Sequence, residues 1–242
     1  MIERNVETNG LGRRFCCGDI HGAHKALIQV LDLAEFDYEN DLLISLGDIC
    51  DGYSQTYECV EELMKIKNLK LSTGNHDVFF MDYLRTGYPE HIWTSQGGNA
   101  TVKSYSLKEK KDRDRHEDFL NKGAFYHVLD NKLFVHGGFN WHEPIEDQDG
   151  YDLTWDRHLI STALYWEKRQ TGDKVNAYDE VFIGHTSTSR LDPTLKPLHF
   201  SNVWCLDQGA GFEGKLTLMD IDSHEYWQSD LVKDLYPNEH GR

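Results

Sequence analysis

The stretch Leu71-Ser72-Thr73-Gly74-Asn75-His76-Asp77 decides the reading of this chain. A short apolar run stops at a glycine, and an amide, an imidazole and a carboxylate follow in a row. Such a run reads as a strand end feeding a tight turn. Three polar side chains at one strand end are costly to bury without partners. The same design occurs four more times. Gly18-Asp19-Ile20-His21-Gly22 follows residues 13–17, and Gly47-Asp48-Ile49-Cys50-Asp51-Gly52 follows residues 42–46. His136-Gly137-Gly138 follows residues 133–135, and Gly184-His185-Thr186 follows residues 181–183. Five apolar runs that each end in glycine plus Asp, Asn or His build a metal site at the open edge of a sheet. Strand ends supply ligands, and glycines let the backbone come close to the ions.

Working outward, residues 1–12 read as a ragged lead-in or edge strand. Apolar residues recur at helical spacing at Ala26, Leu27, Val30, Leu31 and Ala34. A second amphipathic helix is expected over residues 54–66, with Ser54 as its N-cap. The first three β-runs therefore alternate with helices, which implies crossovers and a parallel sheet with ligands at the strand carboxyl ends. Residues 78–122 form a mainly helical insertion expected over one rim of the site. Asp130-Asn131 marks a two-residue hairpin turn between residues 124–129 and 132–135. Residues 155–169 read as one helix. Runs at 181–183, 203–206 and 215–221 complete the strands, the last two joined by a glycine-rich loop. No repeat or linker divides the chain. The expectation is a single α/β domain over residues 1–242, with two β-sheets packed together and helices outside.

The 242 residues include 25 basic and 41 acidic side chains, a net charge of −16. A chain so acidic repels nucleic-acid backbones, so no nucleic-acid partner is expected. The sign-alternating run 108–118 reads as a solvated surface rather than a docking site. Apolar segments are too short for a membrane span, and the first residues lack a signal-peptide pattern. Five cysteines without a C-x-x-C pair indicate reduced thiols and a cytoplasmic protein.

The candidate inventory is Asp19, His21, Asp48, Asn75, His136 and His185, with Asp51 and His76 beside them. Oxygen and imidazole donors without thiolate suit manganese, iron or zinc. Asp19 and His21, as alternate residues of an extended segment, can point the same way. Six ligands exceed one tetrahedral ion and divide between two ions sharing a bridging carboxylate. Such a pair suits displacement at phosphorus.

Five motifs in this order resemble the calcineurin-like metallophosphoesterases, over about residues 13–221. Within that superfamily the chain is similar to the phosphoprotein phosphatase branch, especially bacterial and phage serine/threonine phosphatases. The resemblance implies a β-sandwich of two mixed sheets flanked by helices. It implies one divalent ion on Asp19, His21 and bridging Asp48, and another on Asp48, Asn75, His136 and His185, manganese being the expected metal. It further implies a metal-bridging hydroxide as nucleophile and His76 as general acid, with Asp51 hydrogen-bonded to His76 and fixing its tautomer. Asp152-Leu153-Thr154-Trp155-Asp156-Arg157 resembles a stretch whose arginine contacts phosphate, which points to Arg157. Thr186 and Ser187 follow Gly184-His185 where nuclease-like members carry a second histidine, which favours the phosphatase branch. The second motif departs from the family. It ends Asp51-Gly52-Tyr53, where an arginine that clamps phosphate usually follows the aspartate.

The expected substrate is phosphoserine or phosphothreonine in proteins. The alternative is a small phosphate ester such as a dinucleoside polyphosphate. A third reading is a metal-binding protein with little catalysis, which the missing arginine alone favours.

Overall fold

The structure, a computed structural model, describes residue 10 and residues 12–242. The expected lead-in therefore lies mostly outside the described residues. In chain order the elements are β1 (Arg14–Cys17), α1 (His24–Leu33), β2 (Leu42–Ser45), α2 (Thr56–Leu63), β3 (Asn68–Leu71) and α3 (Asn75–Thr86). Then come the short α4 (His91–Trp93), α5 (Asn99–Tyr105) and α6 (Lys110–Leu120), followed by β4 (Tyr126–Leu129) and β5 (Lys132–Val135). The remainder is α7 (Gly150–Trp155), α8 (His158–Arg169), β6 (Glu180–Ile183), β7 (Leu198–Phe200), β8 (Val203–Cys205), β9 (Thr217–Asp220), β10 (Tyr226–Gln228) and α9 (Val232–Leu235).

Two five-stranded mixed sheets result, ordered β10-β9-β1-β2-β3 and β4-β5-β6-β8-β7. As the alternation of strands and helices requires, β1, β2 and β3 pair in parallel. The antiparallel β9 on the other side of β1 makes that sheet mixed.

Side-chain alternation explains why the sheets stack. In β1, Phe15 and Cys17 pack into the cluster beneath α1, α2 and α3, while Cys16 joins a second cluster. That second cluster also holds Leu42, Ile44 and Met219 of the first sheet and Phe134 and Phe182 of the second. It is the seam between the sheets, where the Phe134 and Phe182 rings stack at 4.9 Å. Leu133, Val135, Val181 and Ile183 face the other way, with Leu159 and Ala163 of α8. The layers thus run helices, sheet, sheet, helices.

Asp130 and Asn131 both adopt positive φ (48° and 59°), the conformation that a two-residue type I′ hairpin turn demands. Two local expectations are corrected, and two strands carry no sequence signal. The helix expected over 155–169 is two helices, because Asp156 (ψ 136°) leaves the helical region and Arg157 begins α8 as its N-cap. Ser54 does not cap α2, since its hydroxyl and amide bind Glu239 at 2.8 and 2.9 Å. Strands β7 and β10, three residues each and partly exposed, carry no clear alternation and escape a pattern reading. The run 108–118 lies mostly on α6, a surface helix with a Lys110–Asp114 pair at 2.6 Å and only His116 and Leu120 buried.

Candidate active site

The open ends of β1, β2, β5 and β6 and the start of α3 bring Asp19, His21, Asp48, Asn75, His136 and His185 together, all buried. Two sets of donor atoms each lie within 4.8 Å of one another: Asp19, His21 and Asp48, and Asp48, His136 and His185. Asp48 belongs to both. Its Oδ2 lies 3.8 Å from His21 Nε2 and 3.4 Å from His136 Nε2. Asn75 joins the second set, with Oδ1 3.1 Å from His136 Nε2.

The backbone is bent to achieve this. His21, Asp48, Asp51 and His185 have φ of 52°, 49°, 73° and 62°. That left-handed region costs a non-glycine residue on the order of 1–3 kcal/mol, and it concentrates at functional sites. The segment from Asp19 to His21 is therefore a turn rather than extended, which corrects that expectation. The two side chains still converge, at 3.8 Å. Glycines make room: a Cβ on Gly74 would collide with the Asp48 carboxylate, and one on Gly184 with that of Asp19.

The donor set fits divalent cations. His21 Nδ1 lies 2.9 Å from the Cys50 carbonyl and His136 Nδ1 2.8 Å from the Leu46 carbonyl. A carbonyl only accepts, so the protons sit on Nδ1 and the Nε2 atoms face the cluster, as in metal-ligating histidines. Asp19 Oδ1 and His185 Nε2 are buried without a hydrogen-bond partner, a costly state for a carboxylate oxygen and an imidazole nitrogen. Electrostatics points the same way. Burial, then Asp207 nearby, pushes the Asp19 carboxyl well above the usual range. Burial opposes ionisation of Asp48 too, but His136 and His76 outweigh it and hold Asp48 well below that range. Burial opposes a charge on His136, yet Asp48 lifts it to about 9. Burial, then His136 and Arg157, drops His185 to about 2. Carboxylates buried this close together call for cations among them.

His76 stands beside this cluster at the first turn of α3. Its amide donates to Asp48 Oδ1 at 3.0 Å, and its ring meets the His21 ring edge-on at 5.6 Å. His76 Nδ1 lies 2.6 Å from Asp51 Oδ2, which also accepts from the indole N–H of Trp93 at 2.6 Å. Asp51 Oδ1 accepts from the Thr101 hydroxyl at 2.7 Å. Trp93 and Thr101 come from the 78–122 segment. Asp77 is no ligand, because its carboxylate accepts from the amides of Gly74 and Ile49 at 3.0 and 2.9 Å and fixes the turn.

Arg157 is exposed at the break between α7 and α8, and its Nη1 donates to the Thr186 hydroxyl at 2.8 Å. It lines a cavity of about 600 Å³ with His185, Thr186, Arg190, Phe212 and Arg242.

The sequence reading missed four site residues. Asp207 is buried and faces Asp19; it follows β8 and Leu206 with Gly209 two residues on, a looser form of the signature at the other five strand ends. Trp93 is fully buried, and a buried indole needs an acceptor, but nothing in its spacing names Asp51. Thr101 and Arg242 left no local signal.

The calcineurin-like phosphoesterase family model matches residues 13–210. The chain is 24% identical to serine/threonine-protein phosphatase 1 of Salmonella typhimurium, over 91% of this chain and 97% of that one. It is 25% identical to the symmetrical bis(5'-nucleosyl)-tetraphosphatase of Nitrosomonas europaea, over 52% of this chain and 46% of the other. The crystal structure of a candidate diadenosine tetraphosphatase superposes with a TM-score of 0.68, at 18% identity over 93% of this chain and 95% of that one.

Proposed function

The chain belongs to the calcineurin-like phosphoesterases, a family of metal-dependent phosphoric ester hydrolases, and from that premise we propose that it removes phosphate from phosphoserine or phosphothreonine in proteins. The observation that carries the reading is Asp48, shared by two donor clusters with a carboxylate-backed histidine beside it. Asp19, His21 and Asp48 would hold one divalent ion and Asp48, Asn75, His136 and His185 the other, with manganese as the proposed metal. Bound there, the ions supply Lewis acidity toward a phosphate ester and activate water at neutral pH.

The chain's own residues do the rest. His76 gives a proton from Nε2 to the departing alkoxide. Asp51 receives Nδ1–H and fixes the ring with Nε2 toward the substrate. Trp93 and Thr101 fill the other acceptor sites of Asp51, so that carboxylate cannot turn away. Arg157 offers an exposed guanidinium to the phosphate. We read the chain as one domain, the seam between the sheets joining its halves, with residues 78–122 as a helical rim that secures the acid. No described helix is long and apolar enough to cross a membrane. The five cysteines are buried and unpaired, which supports a reducing cytoplasm as the proposed location.

A second reading, hydrolysis of dinucleoside polyphosphates, draws support from the tetraphosphatase relative and from three arginines in one cavity wall. Metal-stripped protein reloaded with manganese separates the two. Turnover of a phosphopeptide, but not of a dinucleoside tetraphosphate, supports the first reading; the opposite preference replaces it with the second.

A further inference from the structure

Gly52 stands where the second motif usually carries a phosphate-clamping arginine, yet a guanidinium is present there. The side chain of Arg242 crosses this position. A Cβ on Gly52 would meet Arg242 Cγ at 3.4 Å, and one on Gly97 would meet Cγ at 2.9 Å and Cδ at 3.2 Å. Both glycines have positive φ (92° and 112°), and Gly52 N–H donates to the Gly97 carbonyl at 3.4 Å. Two adjoining residues without side chains thus form the floor on which the aliphatic stem of Arg242 lies. Its amide donates to the Gly211 carbonyl at 2.8 Å, and its guanidinium lies over the Phe212 ring at 5.1 Å. Arg242 Nη1 reaches Nε2 of His76.

We propose that Arg242 is a substrate-binding residue that, with Arg157, clamps the phosphate, supplying from a remote part of the chain the guanidinium that position 52 lacks. The inference rests on the phosphate-ester reading and deepens it. Arg157 and Arg242 line one cavity, and His185 of the metal cluster lies in the same wall. A guanidinium has only donors, so its contact with His76 makes Nε2 the acceptor and leaves the ring proton on Nδ1, toward Asp51. An arriving phosphate offers the guanidinium charged oxygens in place of a neutral nitrogen, and a fork donating to two of them is the stronger pairing. The move frees Nε2 for the leaving-group oxygen. One side chain therefore grips the phosphate and, in moving to it, leaves the Nε2 side of His76 open. The clamp comes from outside residues 51–53, so the glycine at 52 is a requirement for Arg242 rather than a defect.

The test measures binding of inorganic phosphate by calorimetry and turnover of p-nitrophenyl phosphate, for manganese-loaded wild type, Arg242→Ala, Arg242→Lys and the double variant Gly52→Arg/Arg242→Ala. Metal content and thermal melting of each variant are measured alongside. Arg242→Ala should weaken phosphate binding and raise KM about 10–100-fold, the worth of charge-assisted hydrogen bonds, with metal content unchanged. Lysine should restore only part, having no fork. In the double variant the Arg242 stem is gone, but a side chain at position 52 is still strained by φ 92° and by the Gly211 and His21 carbonyl oxygens 3.2 and 3.3 Å from its Cβ, so phosphate affinity should recover only in part. Unchanged phosphate affinity in Arg242→Ala overturns the proposal. So does faster turnover in that variant, which would make Arg242 a plug. If wild type hydrolyses no ester, the functional reading fails, and phosphate affinity still decides the clamp.

Discussion

Asp19, Asp48, His136 and His185 stand just past strand ends, each presented by its own strand and turn and steadied by neighbouring strand ends, His136 on the Leu46 carbonyl and the His185 amide on Asp19. His76 stands one residue after Asn75, yet it is held by Asp51, which Trp93 and Thr101 fix in turn, and it is touched by Arg242, so four separate parts of the chain bear on it. The first group is presented by regular strand ends, and under the proposed function a bound metal would help gather its ligands once the sheets bring them near. The second depends on the rim and on residue 242 being packed correctly. The proposed metal half and the proposed acid half of one pocket should therefore fail in different ways, and substitutions can separate them.

The largest effect should come from Asp48→Asn, which removes the carboxylate shared by both clusters. Activity should fall by more than the ~10²–10⁴-fold that an acid contributes, and bound metal should fall with it, read by elemental analysis. His76→Asn should lower kcat by ~10²–10⁴-fold while both ions stay bound. Loss of metal in that variant would erase the distinction between the halves. Trp93→Phe keeps the packing and removes one donor to a buried carboxylate. It should cost ~1.5–3 kcal/mol in urea unfolding, lower kcat by about tenfold, and leave metal content untouched.

The smallest effect concerns how the rim is fastened. Arg115 holds the Glu61 carboxyl down at about 2 from an ordinary value near 4.5, against burial, with His116 adding a smaller contribution. A depressed carboxylate favours the folded state above its unfolded value, and that stability is lost as pH falls from about 4.5 toward 2. Glu61→Gln should flatten this part of the acid limb in urea midpoints measured against pH, with no change in metal content. The pair is partly exposed and weakened by solvent, so the change should be small.

The same division explains what could be read from sequence. An apolar run ending in glycine and a ligand is a local signal, and it led to all six proposed metal donors and to the two-sheet architecture. A looser form of that signal follows Leu206 and points to Asp207, which was passed over. The αL turns at His21, Asp48, Asp51 and His185 were not legible, because propensity disfavours them and only the assembled site holds them. Trp93, Thr101 and Arg242 were not legible for another reason: their partners lie far away in the chain. The missing arginine after Asp51 looked like a loss in one dimension. In three dimensions the same space holds the stem of Arg242.

The central claim is that two ions and His76 act together on a phosphate ester. The most direct measurement is metal content per chain against turnover, during stepwise addition of manganese to stripped protein. The account predicts that turnover rises with the second equivalent in wild type, and that His76→Asn binds two equivalents but stays nearly inactive. Full turnover at one equivalent, or full turnover of His76→Asn, would contradict it.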